Sequence, residues 1–427
     1  MNLLLEELRW RGLLQDVMPG TDEQLNREMT AAYVGFDPTA DSLHIGSLVP
    51  IMLLMHLQKA GHKPIAVVGG ATGMVGDPSG KSEERNMLSI EQIQINIAGV
   101  RKQLQHFLQF DDALPNKAEL LDNYDWLKNI TFLDFIRDVG KHITVNYMLS
   151  KDSVQRRLET GMSFTEFTYQ LVQGFDFYYL NQHHNVKLQM GGSDQWGNMV
   201  TGTELIRRKS NNDAFAFTAP LLKKADGGKF GKTETGNIWL DATKTSPYRF
   251  YQFWLNTADD DAKNYIKIFT FLPQADIETL INEHEAQPHL RTLQKTLARE
   301  LTVMVHSQPA YDAAVEASQI LFSENTTAAL QQLSREQLLD VLDGVPQCPL
   351  PAHSINDGVK WLDVLASTGI MPSKGEARKM IQSGAIGINK QKLNDVEATL
   401  LPEQLLQNQY ILVQKGKKNY YLLTLEA

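Results

Sequence analysis

Cysteine is almost absent from this chain: Cys348 is the single one in 427 residues. That excludes an internal disulfide and a thiolate-built zinc site, and it sets the expectation of a reducing, cytoplasmic setting. Long apolar runs are missing as well. The longest, Leu48–Met55, falls far short of the ~20 residues a membrane-crossing helix needs. The opening MNLLLEELRWRGLL alternates apolar with charged residues and has neither the unbroken apolar centre nor the small-residue cleavage site of an export signal. No membrane partner is expected. Positive charge is in deficit too: 41 Lys and Arg stand against 50 Asp and Glu, a formal net charge of −9, which excludes a uniformly basic nucleic-acid binder. The deficit is uneven. From Asn356 onward nine Lys/Arg meet seven Asp/Glu, so this tail carries +2 and the rest of the chain −11. A basic tail on an acidic body permits local contact with a polyanion.

What is present is the balance of a globular protein of two or three domains, with 42% hydrophobic and 21% charged residues ruling out a disordered chain. AAYVGF (Ala31–Phe36) reads as a buried strand, DPTADSLHIGS as a loop, and LVPIMLLMHLQKAG as a helix apolar nearly all round that Gly61 stops. IAVVGG, from Ile65, reads as the next strand. Strand, loop, helix, strand is the unit of a parallel sheet with right-handed crossovers. The pattern returns at VKLQM (Val186–Met190), GGSDQWGN and MVTGTELIRRK. Open sheets of this kind take ligands at the carboxyl ends of their strands. From Ser246 the pattern turns helical. VPQCPLPAHS (Val345–Ser354), rich in proline, reads as a linker. GVKWLDVLA, GEARKMIQSG and AIGINKQKL then give two short helices and a strand–turn–strand.

The loop from Asp37 to Ser47 carries the sharpest chemical signal. His44 and Gly46 sit where the buried helix begins, and a helix start offers unpaired N–H groups and partial positive charge to a phosphate. Gly46 removes a side chain that would hold a nucleotide away, and His44 and Thr39 can donate to phosphoryl oxygens. A helix capped by Ser47 with a satisfied core histidine would look the same. About two hundred residues on, ADGGKFGKTETGN groups Lys229, Lys232 and Thr233 on a glycine-rich loop able to close on pyrophosphate, or to be a solvated hairpin. Tyr169, Gln173 and Asp176 share one helix face amid Phe167, Leu171, Phe175 and Phe177, which suits a face lining a polar pocket. The glycine run GGATGMVG lies outside the first strand–helix turn and so is no dinucleotide fingerprint. His183-His184, with no Cys cluster nearby, reads as surface rather than metal site.

HxG at the first turn and K-x-x-K-T downstream resemble the two signatures of the class I aminoacyl-tRNA synthetases. YVGFDPTADSLHIG, GGATGMVGDPSGK, SFTEFTYQLVQGFDF, GGSDQWGN and KFGKT, in that order, resemble the bacterial tyrosyl-tRNA synthetase family over essentially the whole chain. PSKGEARKMIQSGAIGIN resembles the S4 RNA-binding module found at that family's C-terminus. The resemblance implies an α/β fold with a Rossmann-like parallel-sheet catalytic domain (1–225, including a dimer-forming insertion), a mobile KFGKT loop (226–240), an α-helical domain that binds the anticodon stem (241–325), a linker (326–355) and a small α+β S4-like RNA-binding domain (356–427).

It also implies roles. Tyr33 and Asp176 would meet the hydroxyl of a substrate tyrosine. Asp77, Tyr169 and Gln173 would hold its ammonium, Gln189 would face the amino acid, and Gln195 would orient the reacting groups. Asp37, Gly46, Ser47, Gly192 and Asp194 would receive ATP, with Asp194 on the ribose. His44, Thr39, Lys81, Arg85, Lys229, Lys232 and Thr233 would gather the charge of the departing pyrophosphate. Mg²⁺ would travel with ATP and no metal would be bound by the protein itself. Lys374, Arg378, Lys379, Lys415, Lys417 and Lys418, with Lys390 and Lys392, would contact phosphates of tRNA(Tyr). A homodimer is implied, with 124–158 at the subunit contact. Ser47 departs from the family's second signature histidine, and Thr233 stands where serine is usual. A tryptophan-specific or nucleotidyltransferase relative, and an inactive RNA-binding relative, are the alternatives. Tyr33 with Asp176 speaks against tryptophan and the RNA module against a small-molecule nucleotidyltransferase. Lys229, Lys232 and Asp194 speak against inactivity.

Overall fold

The computed structural model describes residues 2–77, 88–151, 154–155, 158, 161–225, 227–228, 230–233, 236–322, 327–342, 345–416 and 419–426. The chain divides into two compact units, Met1–Thr245 with Phe253–His306, and Ser246–Gln252 with Ser307–Ala427.

The first unit is built on five parallel strands: β1 (Ala31–Phe36), β2 (Lys63–Val68), β3 (Glu119–Asp122), β4 (Val186–Gly192) and β5 (Phe215–Ala219), in the order β3-β2-β1-β4-β5. β1 and β2 are nearly continuous apolar runs because a parallel sheet is covered on both faces. The Leu48–Lys59 helix covers one face, and Ile51, Met52, Leu53, Leu54 and Leu57 are fully buried. On the other face Tyr33, Ile65, Val67 and Val186 pack with Phe177 and Leu180 of the Phe164–His184 helix and Ile206 of the Trp196–Ser210 helix. Chain connections leave β1 in opposite directions toward β2 and β4, so the sheet has its switch point between β1 and β4, where a crevice opens at the carboxyl ends.

β3 and the Ile90–Phe107 helix were not legible in advance. ELLD is four residues at a sheet edge, too short for periodicity to register. The free edge of β5 is occupied by the chain's own start: Gln15 N–H donates to Thr218 O (2.7 Å), Thr218 N–H to Asp16 O (2.8 Å) and Met18 N–H to Ala216 O (2.9 Å). Such a cover removes a template for unwanted strand pairing. Arg11, 3% exposed, donates from Nη1 to Lys267 O and Thr270 O (both 2.7 Å) and from Nη2 to Leu272 O (2.8 Å), closing the last turn of the Asp259–Phe269 helix. The helical stretch taken in the sequence as 241–325 is thus divided. Its helices from Asp259–Phe269 through Thr292–Val305 belong to the sheet-bearing unit, whereas residues 246–252, most of the Pro247–Leu255 helix, and Gln308–Phe322 belong to the second.

The second unit holds a five-stranded sheet in the spatial order Gln391–Lys392, Ile386–Ile388, Tyr410–Lys415, Asn419–Leu425 and Gln347–Leu350. The proline-rich stretch read as a linker therefore contains an edge strand, parallel to Asn419–Leu425 with Cys348 opposite Leu423. Proline is tolerated there because an edge strand needs no outward N–H. Asn389 and Lys390, at φ 46° and 72°, turn the short hairpin. Trp361, fully buried, centres the packing with Leu365, Ile381, Ile411 and Val413. Among the described residues no helix is long and apolar enough to cross a membrane.

Candidate active site

A cavity of about 200 Å³ opens at the β1/β4 switch point. Tyr33 and Asp37 reach it from β1 and the turn beyond, Gln189 and Gly192 from β4, and Tyr169, Gln173 and Asp176 from one face of the Phe164–His184 helix. Ser163 and Glu166 start that helix with a reciprocal capping box, and the i, i+4, i+7 spacing turns all three polar groups inward.

Asp176 lies at the deep end, 4% exposed. Its carboxylate accepts from Asn123 Nδ2 (2.9 Å) and Trp126 Nε1 (2.7 Å). Burial outweighs those two donors and pushes the acid up from 3.8 to about 7. The Tyr33 phenol is raised well above its ordinary value, by burial first and by the Asp176 charge second. Tyr33 Oη and Gln189 Oε1 are buried with no hydrogen-bond partner among the described residues. Polar atoms left so are costly, and both belong to residues lining this cavity. The wall thus presents an acid and two uncommitted polar atoms.

Nearer the mouth, Gln195 Nε2 donates to Asp77 Oδ2 (2.7 Å), and Asn198 Nδ2 donates to Gln173 Oε1 (2.9 Å) and Gln195 Oε1 (3.3 Å). Asp77, Gln173 and Gln195 all line the cavity. Asp194 sits at the end of β4; burial, then the charge of Asp77, raises its acid above the ordinary range. A Cβ on Gly192 would come within 2.7 Å of Asp194 Oδ1 and 3.2 Å of Leu221 Cδ2, so glycine there makes room for the acid.

His44, not Ser47, provides the side-chain cap here, on the Ile45–Ser47 turn that leads into the Leu48–Lys59 helix. Its backbone is extended and its Nδ1 accepts from Gly46 N–H (3.0 Å), whereas Ser47 is already helical and makes no side-chain cap. Accepting at Nδ1 fixes the ring as the Nε2–H tautomer, a donor. A Cβ on Gly46 would lie 2.7 Å from His44 Cε1 and 2.9 Å from Nδ1, so the glycine serves the histidine's own placement. The Ile90–Phe107 helix grips this loop at three points. Asn96 Nδ2 donates to Pro38 O (2.8 Å), Gly99 would place a Cβ 1.9 Å from Asp41 O, and Gln103 accepts from Leu43 N–H (2.7 Å) while donating to Ser42 Oγ (2.9 Å).

The two glycine-bearing loops, remote in sequence, meet in space. Ile45 N–H donates to Ile238 O (3.0 Å) and Leu240 N–H to Leu43 O (2.8 Å). Gly231, at φ +85°, would set a Cβ 3.3 Å from Ile45 Cγ1 and 3.5 Å from Gly46 N. Phe230 beside it stacks on Phe269 (5.5 Å) and meets Tyr265 edge-on (5.0 Å). Of Lys232 and Thr233 the backbone is described, a short strand antiparallel to Gly236–Asn237. Lys81, Arg85, Lys229, Lys417 and Lys418 lie outside the described residues. Thr39 follows Asp37 in a turn closed by Thr39 N–H to Asp37 O (2.9 Å).

In the second unit Arg378 and Lys379 are exposed. Lys374 Nζ pairs with Asp363 (2.6 Å), Lys415 Nζ donates to Ile370 O (3.0 Å), and Lys390 lies over the Tyr420 ring (5.0 Å). His183 stacks on Tyr179 (4.3 Å), and His184 Nδ1 is 3.3 Å from Glu119 Oε2. Among the described residues no group of three or more His, Cys, Asp or Glu is placed to hold a metal. The sequence reading missed Thr72, Asn123, Trp126 and Asn198. Asn123 and Trp126 follow β3 in DNYDWL, and their position is readable only once ELLD is taken as a strand.

A parallel sheet with a cavity at its switch point, a histidine-capped turn into the first helix and a second glycine loop lying on it define a class I tRNA synthetase core. Residues 25–323 match the family model of class I tRNA synthetases of the tryptophan and tyrosine type, and residues 337–423 match the SYY-like C-terminal domain of tyrosine–tRNA ligase. The tyrosine–tRNA ligase of Bacteroides thetaiotaomicron is 58% identical over 98% of this chain and 99% of its own. That of Porphyromonas gingivalis is 59% identical over 99% of both. The C-terminally truncated mitochondrial tyrosyl-tRNA synthetase of Aspergillus nidulans superposes with a TM-score of 0.66 at 32% identity, covering 75% of this chain and 94% of that one. The chain belongs to the tyrosine–tRNA ligase family.

Proposed function

We propose that the protein activates L-tyrosine with ATP and transfers the tyrosyl group to the 3′ end of tRNA(Tyr). The observation that carries this reading is the unpartnered Tyr33 phenol, whose electrostatic neighbour is Asp176, at the closed end of the cavity. A substrate phenol donating to the Asp176 carboxylate and sharing the Tyr33 hydroxyl satisfies both. Phenylalanine would leave the Tyr33 hydroxyl buried and unpaired and would bring Asp176 no further donor. In this family that rejection is known to reach roughly 10⁵-fold without editing, a magnitude belonging to the family rather than to this geometry.

Asp77, Tyr169 and Gln173 hold the substrate ammonium by charge-assisted bonds, and Gln189 and Gln195 complete the amino-acid seat. The substrate carboxylate then points to the strand ends, where Asp37, Gly192 and Asp194 receive the nucleoside and Gly46 and Ser47 the phosphates. One carboxylate oxygen bonds to the α-phosphorus as the bond to the β,γ-diphosphate breaks, giving tyrosyl-adenylate and pyrophosphate. The nucleophile is already an anion, so no side chain needs to remove a proton. Catalysis is alignment plus stabilisation of spreading negative charge. His44 Nε2–H and Thr39, with Lys81, Arg85, Lys229, Lys232 and Thr233, supply that stabilisation, and Mg²⁺ accompanies the triphosphate. In the second step a terminal ribose hydroxyl of the tRNA takes the acyl group and releases AMP.

Lys374, Arg378, Lys379, Lys415, Lys417 and Lys418 give the C-terminal segment its hold on RNA phosphates. The homodimer contact falls on an apolar cavity of about 710 Å³ walled by Phe135, Ile143, Met148 and Leu171, with Phe132 64% and Phe164 67% exposed at its rim. A patch of that character is the mark of an interface. The protein works in the cytoplasm. Tyrosine-dependent ATP–pyrophosphate exchange tests the reading. Exchange with tyrosine, none with tryptophan, and loss in Asp194→Ala are expected. Strong RNA binding without exchange would replace it with an inactive RNA-binding relative.

A further inference from the structure

Asn198 is buried, 6% exposed, in the first turn of the Trp196–Ser210 helix, and it does not line the cavity. Yet both acceptors of its side-chain N–H₂ belong to residues that do. Nδ2 donates to Gln173 Oε1 at 2.9 Å and to Gln195 Oε1 at 3.3 Å, and Gln195 in turn donates from Nε2 to Asp77 Oδ2 at 2.7 Å. One carboxamide thus ties together side chains from the Phe164–His184 helix, the Ser193–Gln195 turn and the segment carrying Asp77. A glutamine amide is nearly symmetric in shape, so only its hydrogen-bond partners decide which end is oxygen and which is nitrogen.

We propose that Asn198 is a positioning residue for amino-acid specificity, which fixes the polarity of Gln173 and Gln195 so that the seat accepts an α-ammonium group. With Asn198 in place, Gln173 keeps its oxygen toward the junction, where the second lone pair remains for an ammonium N–H, and Gln195 keeps its nitrogen on Asp77. Without it, Gln173 loses the donor that holds its oxygen and can turn over, and Gln195 is held by its bond to Asp77 alone. A turned Gln173 sets N–H₂ against a cation, and a turned Gln195 sets an oxygen against the Asp77 carboxylate. Both changes penalise the ammonium and leave the phenol end of the cavity, governed by Tyr33 and Asp176, untouched. The inference rests on the tyrosine seat described above.

The test compares L-tyrosine with 3-(4-hydroxyphenyl)propionate, which keeps the phenol and the carboxylate and lacks the ammonium. Dissociation constants are measured on the full-length protein, together with the KM for ATP in pyrophosphate exchange and the melting temperature. In Asn198→Ala and in Asn198→Leu, which preserves volume but has no proton to give, tyrosine affinity should fall more than about tenfold, the scale of one bond to a charged group. Affinity for the desamino analogue and the KM for ATP should stay within about twofold, so the preference for tyrosine over the analogue collapses. Retention of that preference in the volume-preserving variant overturns the proposal. So does an equal loss for both ligands with a lower melting temperature, the mark of a merely structural role. A wild-type protein with no tyrosine-dependent exchange would instead sink the functional reading.

Discussion

Asp176 shows what a buried acid costs and what it gives. Its proton leaves near 7 rather than near 4 because burial outweighs the donors Asn123 and Trp126. Between those two values the folded chain holds a proton that the unfolded chain has released. Stability from this group is therefore full at the acid end and lost as pH rises toward 7. Asp176→Asn should flatten that part of the stability curve, measured as melting temperature against pH. Ligand binding runs the other way, since accepting the substrate phenol requires the ionised form. Tyrosine affinity should weaken by ~tenfold per pH unit below about 7, and Asp176→Asn should abolish that slope and erode discrimination against phenylalanine. Removing a donor with Asn123→Ala should move the midpoint of the binding profile upward. A midpoint that stays in place would mean that the donor does not set the proton affinity. Asp176 itself was legible from its spacing to Tyr169 and Gln173. Asn123 and Trp126 were not, because nothing local marks a side chain whose partner is some fifty residues away.

At the scale of elements, strand–loop–helix units around His44 and Asp194 could be read from apolar runs and glycine punctuation, which are local properties. The Ile90–Phe107 helix could not be assigned its task this way. Its Asn96, Gly99 and Gln103 look like an ordinary polar stripe until the Asp37–Ser47 loop is found lying on them. Cap statistics alone favour Ser47 over His44, yet the backbone is extended at His44 and already helical at Ser47. The helix–loop contact makes a sharp prediction. Gly99→Ala places a methyl 1.9 Å from a backbone oxygen that cannot rotate away, so the loop must shift. Adenylate formation in rapid-mixing experiments should slow by more than about tenfold, because sub-ångström misplacement is expensive in a reaction run on alignment. Tyrosine binding at equilibrium should be unaffected. A parallel loss of tyrosine affinity would show that the shift spreads beyond the loop.

For the whole molecule, the edge strand at Gln347–Leu350 alters where the chain can be cut. Ending it after Ser354 would strand Cys348 and its neighbours without the Asn419–Leu425 strand they pair with. Ending it before Val345 removes the sheet entire. That deletion should leave tyrosine-dependent pyrophosphate exchange within about twofold and reduce tRNA charging by more than about tenfold, given that phosphate contacts carry most of the affinity for nucleic acid. Undiminished charging would show that the C-terminal segment is not the grip. In the first unit, Phe164→Asp puts a charge at the rim of the large apolar cavity. Sedimentation should then report a shift toward monomer, with melting of the isolated chain little changed.

In sequence the opening stretch, MNLLLEELRWRGLL and the few residues after it, shows only an alternation of apolar with charged residues. It pairs with β5 at residues 215–219 and, through Arg11, closes a helix end at 267–272. A ribosome delivers this stretch some two hundred residues before its partners. It must stay unattached while more than half of the chain emerges, at roughly 5–20 residues per second, and only then can it latch. The segment thus finds its place long after it is made, and a nascent chain released before residue 272 would carry it undocked.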